Sequence, residues 1–194
     1  AVVVTGGAAR AAMTLSAAQK NETLRQLPAE WADFRGTSYD TNGTPGGTAG
    51  SNNAVVSIQM PVDADASTLY WSNAIGSGID SGSTGCPLLV DGVLIVCAGD
   101  MICRVDPVSG EILTKAKMDR ASSFSITPPA YANGMVFVGL SDGTIQAFNA
   151  ETLQSLWIYH DPLEGQPNSP ITVCGDYLYT GFWRSEESPA NFVC

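Results

Sequence analysis

One histidine, His160, sets a tight limit on the chemistry available to this 194-residue chain. A single imidazole cannot build a multi-histidine metal cluster or a relay of histidines. His160 stands directly before Asp161, so a carboxylate-assisted general base is one reading of the pair. A surface turn after a strand is the other, and the isolation of the pair favours it. Five cysteines, at 86, 97, 103, 174 and 194, form an odd set with no paired C-x-x-C spacing of the kind that binds zinc. Three of them sit in or beside apolar runs, which suits small buried hydrophobes. One disulfide remains open for an exported chain. No nucleophile elbow or P-loop is present, and the glycine-rich stretch Gly43–Gly50 lacks the lysine that phosphate binding needs. It reads as a flexible loop.

Charge narrows the partners. Nineteen acidic residues against nine basic ones leave a net charge of −10, and no lysine–arginine cluster stands out. Contacts with phosphate backbones or anionic lipid need such clusters, so neither nucleic acid nor an anionic membrane surface is expected as a partner. No apolar run approaches the ~20 residues of a membrane-spanning helix. The chain opens at Ala1 with a small-residue stretch, read either as the segment after a cleaved secretory signal or as an arbitrary boundary.

The elements that must position any site come from an internal repeat. Pro87, Pro129 and Pro170 lie 42 and then 41 residues apart, and Gly92, Gly134 and Gly175 keep those spacings. Ile102, Val105 and Asp106 recur 43 residues later as Ile145, Phe148 and Asn149. The extra residue falls in a turn, where length changes are tolerated. Asp91-Gly92 and Asn133-Gly134 are hairpin dipeptides, since both residues tolerate positive φ. Met135–Val138 is wholly apolar, as for a strand covered on both faces. Trp71 and Trp157 are 86 residues apart, two periods, with Thr114 in the middle slot. Such rings fit between adjacent repeats. A period in the low forties suits a four-stranded propeller blade. The competing architecture, a β-sandwich, does not repeat Pro, Gly and Trp positions at a fixed period.

The fold class is therefore all-β: four-stranded antiparallel propeller blades over residues 54–194, about three of them with the last incomplete. Residues 1–53 form an N-terminal helix/loop segment, with a helix expected over 8–27 and ended by Pro28. A closed ring needs typically 4–8 blades. Three readings stay open: part of a longer propeller, a ring completed by another copy or chain, or a capped open stack.

Asp106-Pro-Val-Ser-Gly110 and Asn149-Ala-Glu-Thr-Leu153-Gln-Ser-Leu-Trp157 resemble the pyrroloquinoline-quinone-like repeat, whose pattern is D-x-x-T-G-x-x-x-W. The first has Thr114 for the tryptophan and the second has Leu153 for the glycine. The resemblance covers about residues 54–194. Trp31-Ala-Asp-Phe34-Arg35-Gly36 looks like the segment that precedes the first blade in bacterial envelope propellers of this class. It is expected to clamp that blade through Trp31 and Phe34, with Arg35 paired to an acidic group.

The resemblance implies two kinds of protein. One is a non-enzymatic binding or scaffold propeller, secreted or in the cell envelope, with a protein partner or small ligand at its axial face and no cofactor. The other is a fragment of a quinone-dependent dehydrogenase, with pyrroloquinoline quinone and calcium on the axis. The adjacent Cys-Cys pair and the carboxylate–asparagine calcium set common in such dehydrogenases are not found in the sequence, which favours the scaffold. Propellers bind where inter-strand loops converge. The expected ligand- or partner-binding residues are Ser122, Ser123, Phe124, Gln166, Asn168, Trp183 and Arg184; no catalytic or metal residues are assigned.

Overall fold

The computed structural model describes residues 24–31, 71–76, 87–121 and 127–194, with Glu30 and Trp31 as backbone only. Three antiparallel sheets follow one another along the chain. The first contains β1 (Ala29–Trp31), β2 (Leu88–Val90), β3 (Val93–Ala98), β4 (Met101–Val105) and β5 (Ile112–Lys117), paired in that order. The second is β6 (Ala130–Ala132), β7 (Met135–Leu140), β8 (Thr144–Asn149) and β9 (Ser155–His160), again in sequential order. The third is β10 (Gln166–Pro167), β11 (Thr172–Cys174), β12 (Tyr177–Trp183) and β13 (Phe192–Val193). Gln166 and Pro167 pair with Trp183 and Phe182, and Thr172–Cys174 with Tyr179–Tyr177. The Asn168 amide donates to the Gly181 carbonyl between them. Thus β10 and β11 are one inner strand interrupted before Pro170, which has no N–H to give. These are propeller blades; the first two keep the register expected from the prolines, while in the third the hairpin turn falls at 175–176, one residue later than the Pro170 and Gly175 spacing implies.

The local turns are those the dipeptides require. Asp91-Gly92 and Asn133-Gly134 join β2 to β3 and β6 to β7 with positive φ at all four residues, 51° and 68°, then 53° and 78°. At the outer turn, Asp106 Oδ1 accepts the amides of Val108 (2.9 Å) and Ser109 (2.7 Å). These bonds hold the Asp106 carboxyl below its usual range. Asn149 Oδ1 does the same for Glu151 and Thr152 one repeat later.

Packing runs from sheet to sheet. Val136, Val138, Leu140 and Phe148 face the first sheet, meeting Leu88, Val90, Ile95, Cys97 and Ile102. Phe137, Ile145 and Ala147 point the other way, against Ile171 and Phe182 of the third. The middle sheet is therefore packed on both faces, and every residue of β8 is buried. This is why Met135–Val138 does not alternate in polarity. Each buried apolar side chain here contributes roughly 1.5–3 kcal/mol. Cys97 and Cys103 are both buried. Cys97 sits opposite Ile102 and Cys103 opposite Val96, so the two thiols lie on opposite sheet faces. Burial, then Cys103, pushes the Cys97 thiol up to about 12. Cys174 and Cys194, by contrast, are exposed, because they lie on the face of the third sheet turned away from the core.

The expected helix falls largely outside the described residues, and residues 24–27 run without helical structure. They form instead a strap across two blades. The Leu27 amide donates to the Tyr131 hydroxyl (2.7 Å), which donates back to the Leu27 carbonyl (3.0 Å). The Arg25 guanidinium meets Glu151 at 2.8 Å. β1 then adds a fifth strand to the first blade. Trp31 pairs through its backbone with Leu89, while Phe34 and Arg35 lie outside the described residues.

Trp71 docks on the outer turn of the first blade, its Nε1 donating to the Pro107 carbonyl at 3.0 Å. A Cβ on Gly110 would come within 2.5 Å of the indole, so the ring demands glycine there. One repeat on, Thr114 holds the tryptophan slot and Leu153 the glycine slot. Leu153 keeps the left-handed backbone (φ 59°) and is 1% exposed within the inter-blade core. Where the indole is missing, a leucine side chain fills the gap. Thr114→Trp is therefore expected to cost about 1–3 kcal/mol by overpacking. Leu153→Gly in that background should recover at least about 1 kcal/mol, read as non-additivity in a urea-unfolding double-mutant cycle.

Candidate functional site

In each blade the antiparallel order brings four chain points to one end: the approach to the inner strand, the end of the second, the start of the third and the exit of the fourth. In the second blade these are Thr127–Pro129, Leu140–Thr144 and His160; in the third, Gln166, Trp183 and Phe192. Polar residues of this end line two adjoining hollows. One, of about 490 Å³, is lined by Arg120, Asp142, His160, Asp161, Pro162 and Glu164. The other, of about 280 Å³, is lined by Leu163, Glu164, Gln166, Trp183, Arg184, Ser185 and Ser188. Glu164 lines both, so they form one groove across the second and third blades.

Asp161 organises the groove. It is 1% exposed. Its Oδ1 accepts the Asn191 side-chain amide (2.7 Å) and the Tyr159 hydroxyl (3.2 Å), and its Oδ2 accepts the Leu163 amide (3.1 Å). One carboxylate thus fixes the 161–164 turn and ties it to the loop before β13. Burial, then Asp161, pushes the Tyr159 hydroxyl up to about 12. Gly143 permits the close approach: a Cβ there would lie 2.9 Å from Asp161 Cβ.

His160 is not oriented by Asp161. Its Nδ1 meets Thr144 Oγ1 at 3.0 Å, and its Nε2 lies 3.8 Å from Asp119 Oδ2. Asp119 also pairs with Arg120 at 2.9 Å, and Arg120 with Asp142 at 3.8 Å. The Asp119 amide donates to Gln146 Oε1, so the crossover from the first blade is held on the second. The His160–Asp161 pair is therefore a turn feature rather than a base with its orienting carboxylate.

Of the expected binding residues, Gln166, Trp183 and Arg184 come together around the smaller hollow. Gln166 stands directly opposite Trp183 in the β10–β12 pairing. Asn168 is exposed and does not line the hollow. Ser122, Ser123 and Phe124 lie outside the described residues. Sequence reasoning missed Glu164, Ser185 and Ser188. The signal for the last two was the acidic, serine-rich stretch between Arg184 and Pro189, which folds back through Arg184 Nη1 on the Pro189 carbonyl and the Ser188 amide on Ser185 Oγ.

The chain matches the family model described as outer membrane protein assembly factor BamB over residues 56–186. The chain belongs to this family, built on pyrroloquinoline-quinone-like propeller repeats. It is 29% identical over 137 residues to the outer membrane protein assembly factor BamB of Burkholderia pseudomallei (strain K96243). That alignment covers 66% of this chain and 32% of the relative, so the chain spans about a third of that protein's length. Among solved structures, it is similar to the quinohemoprotein alcohol dehydrogenase ADHIIG of Pseudomonas putida HK5 (TM-score 0.47, 20% identity, 56% of this chain and 18% of that one). It is also similar to BamB of Moraxella catarrhalis (TM-score 0.41, 15% identity, 53% and 31%).

The acidic groups Asp119, Asp142 and Asp161 at this end of the blades are engaged within the chain. Calcium needs six to eight oxygens converging on one point. Here the Asp161 carboxylate and the Asn191 amide are engaged with each other, and Asp142 and Asp119 face Arg120. No group of three or more His, Cys, Asp or Glu among the described residues is arranged to hold a metal ion. No helix among them is long and apolar enough to cross a membrane.

Asp161→Ala removes the acceptor of three donors at once. It is expected to cost about 3 kcal/mol or more and to raise amide hydrogen exchange across residues 161–165 and 189–192. Gln154→Ala at the exposed outer turn serves as the control and leaves exchange there unchanged.

Proposed function

We propose that this chain is part of a non-enzymatic scaffold propeller of the bacterial envelope, which holds a protein partner at the loop end of its blades. The proposal extends to location: periplasmic and associated with the outer membrane, as the name of the BamB relative suggests for that protein. Membership of the BamB family is the observation that carries it. The groove supports it. Acidic, basic, aromatic and hydroxyl side chains alternate along it, which suits a polar rim around an anchor better than a single reactive centre. Trp183 is the anchor, 49% exposed at the end of β12. Arg184 beside it belongs, with tryptophan, to the residue types that dominate binding energy at interfaces.

The exposed face of the third blade has a second role in this reading. Tyr177 and Phe192 are 48% and 74% exposed. By register they match Met135 and Ile145 of the second blade, which pack into the core shared with the next sheet. Remaining blades, from the same protein or another chain, cover that face.

A photoreactive amino acid at Glu164 or Arg184, in the full-length protein in its bacterial host, should crosslink an envelope protein. The same group at Asn133, at the opposite end of the blades, should not. Crosslinks at Asn133 alone would reverse the assignment of the binding end. Dye reduction by the purified protein with added quinone and calcium would replace the scaffold with the dehydrogenase reading.

A further inference from the structure

The smaller hollow contains a feature that fold and stability do not explain. Gln166 lines it, and Gln166 Oε1 is the buried side-chain oxygen without a hydrogen-bond partner among the described residues. An unpaired buried acceptor is a standing penalty, greater than any net gain it would give if paired. The penalty is not needed to form β10. Strand pairing there uses backbone, and Pro167 with Gly139 already secures contact with the second blade. A glutamine amide is also long enough to turn about its last torsion towards the hollow once a donor arrives.

The rest of the lining says what kind of donor fits. Glu164 and Arg184 put one negative and one positive charge on the same walls, so the hollow selects neither an anion nor a cation. Trp183 offers an aromatic face at the rim. Leu163 adds an apolar wall, and Ser185 and Ser188 add hydroxyls. The volume, about 280 Å³, lies just below the ~300–1,000 Å³ of sites that enclose whole small molecules. A neutral, short, protruding group with an N–H donor and an adjacent ring or aliphatic side chain meets each condition.

We propose that this hollow binds a segment of extended peptide, with a backbone N–H donated to Gln166 Oε1 and the neighbouring side chain laid on Trp183. The choice of peptide over another neutral donor rests on the scaffold reading above. Gln166 is then the specificity element and Trp183 the anchor, while the Arg184–Pro189 bond holds the wall in place.

The test uses a blocked, uncharged pentapeptide with one central phenylalanine, followed through the indole N–H signals in a proton–nitrogen spectrum. Trp183→Phe assigns its signal. The peptide should move that signal with a dissociation constant of ~1 mM or tighter. Methylating the nitrogen of the central amide should weaken binding about tenfold, the worth of one hydrogen bond. Gln166→Met keeps the length of the side chain and removes the acceptor. It should bind the parent peptide about tenfold more weakly, no longer distinguish the methylated one, and unfold at the same temperature as wild type or higher. Equal binding of both peptides by wild type overturns the proposal, as does undiminished binding by Gln166→Met. A shift produced by chitotriose and not by peptide makes the hollow a sugar site and overturns it equally. Photocrosslinking of the envelope partner is read separately: if it persists while the wild-type protein binds no peptide, the hollow is refuted and the scaffold stands.

Discussion

Everything in this chain depends on sheets burying both faces against their neighbours. The second blade is the clearest case, with valines 136 and 138 turned one way and Phe137 the other along a single strand. A sheet of four short strands has too little apolar contact to stand by itself in water. Stacked, the middle blade supplies half of two cores. Repeat proteins of this kind are stabilised through nearest-neighbour interfaces, and loss of one interface propagates to the next. Among the described residues, hydrogen bonds between blades include Arg104 to the Glu151 carbonyl, Thr127 to the Ser169 carbonyl and Asn191 to Asp161. They set the rotation of one blade against the next, while the apolar faces supply the attraction.

That division explains what the sequence makes legible. Anything enforced once per blade repeats, so the prolines, the Asx-type turns at Asp106 and Asn149, and the hairpin dipeptides reveal strands and register. Three of the residues expected at a binding face come together around one hollow for the same reason: Gln166, Trp183 and Arg184 stand at strand ends whose positions the period fixes. Features made once are hidden. The bond from Leu27 to Tyr131 joins residues 104 apart, and nothing in the run Leu24–Leu27 distinguishes a strap from the end of a helix. Asp161 looked like a partner for His160 because the two are adjacent. Adjacent residues in an extended strand point to opposite faces, so sequence neighbourhood was the wrong guide to spatial neighbourhood.

The departures from the repeat pattern are more informative than its matches. Leu153 breaks the glycine position and Thr114 breaks the tryptophan position, and each alone reads as decay of the motif. Together they are one exchange. The indole of Trp71 needs the bare backbone of Gly110; without an indole, bare backbone would leave a void in the inter-blade core, and voids cost stability in proportion to their volume. Leucine in the left-handed region carries a backbone penalty of roughly 1–2 kcal/mol. Burial of its side chain returns a comparable amount. The turn is thus conserved in shape by two different balances of sterics and burial.

The same logic separates Gln166 from the other buried polar groups. Gln146 is 3% exposed and has both ends of its amide satisfied, by the Asp119 N–H and by Ser155 Oγ. Thr144 and Asp161 are likewise bonded wherever they are buried. These groups define how one blade meets the next, and their satisfaction makes the junction specific. Gln166, at the end of a strand in the next blade, breaks the rule at its carbonyl oxygen. In a fold where inter-blade polar groups find partners inside the chain, an acceptor left over at the rim of a hollow, beside an exposed indole, is where a partner from outside completes the pattern.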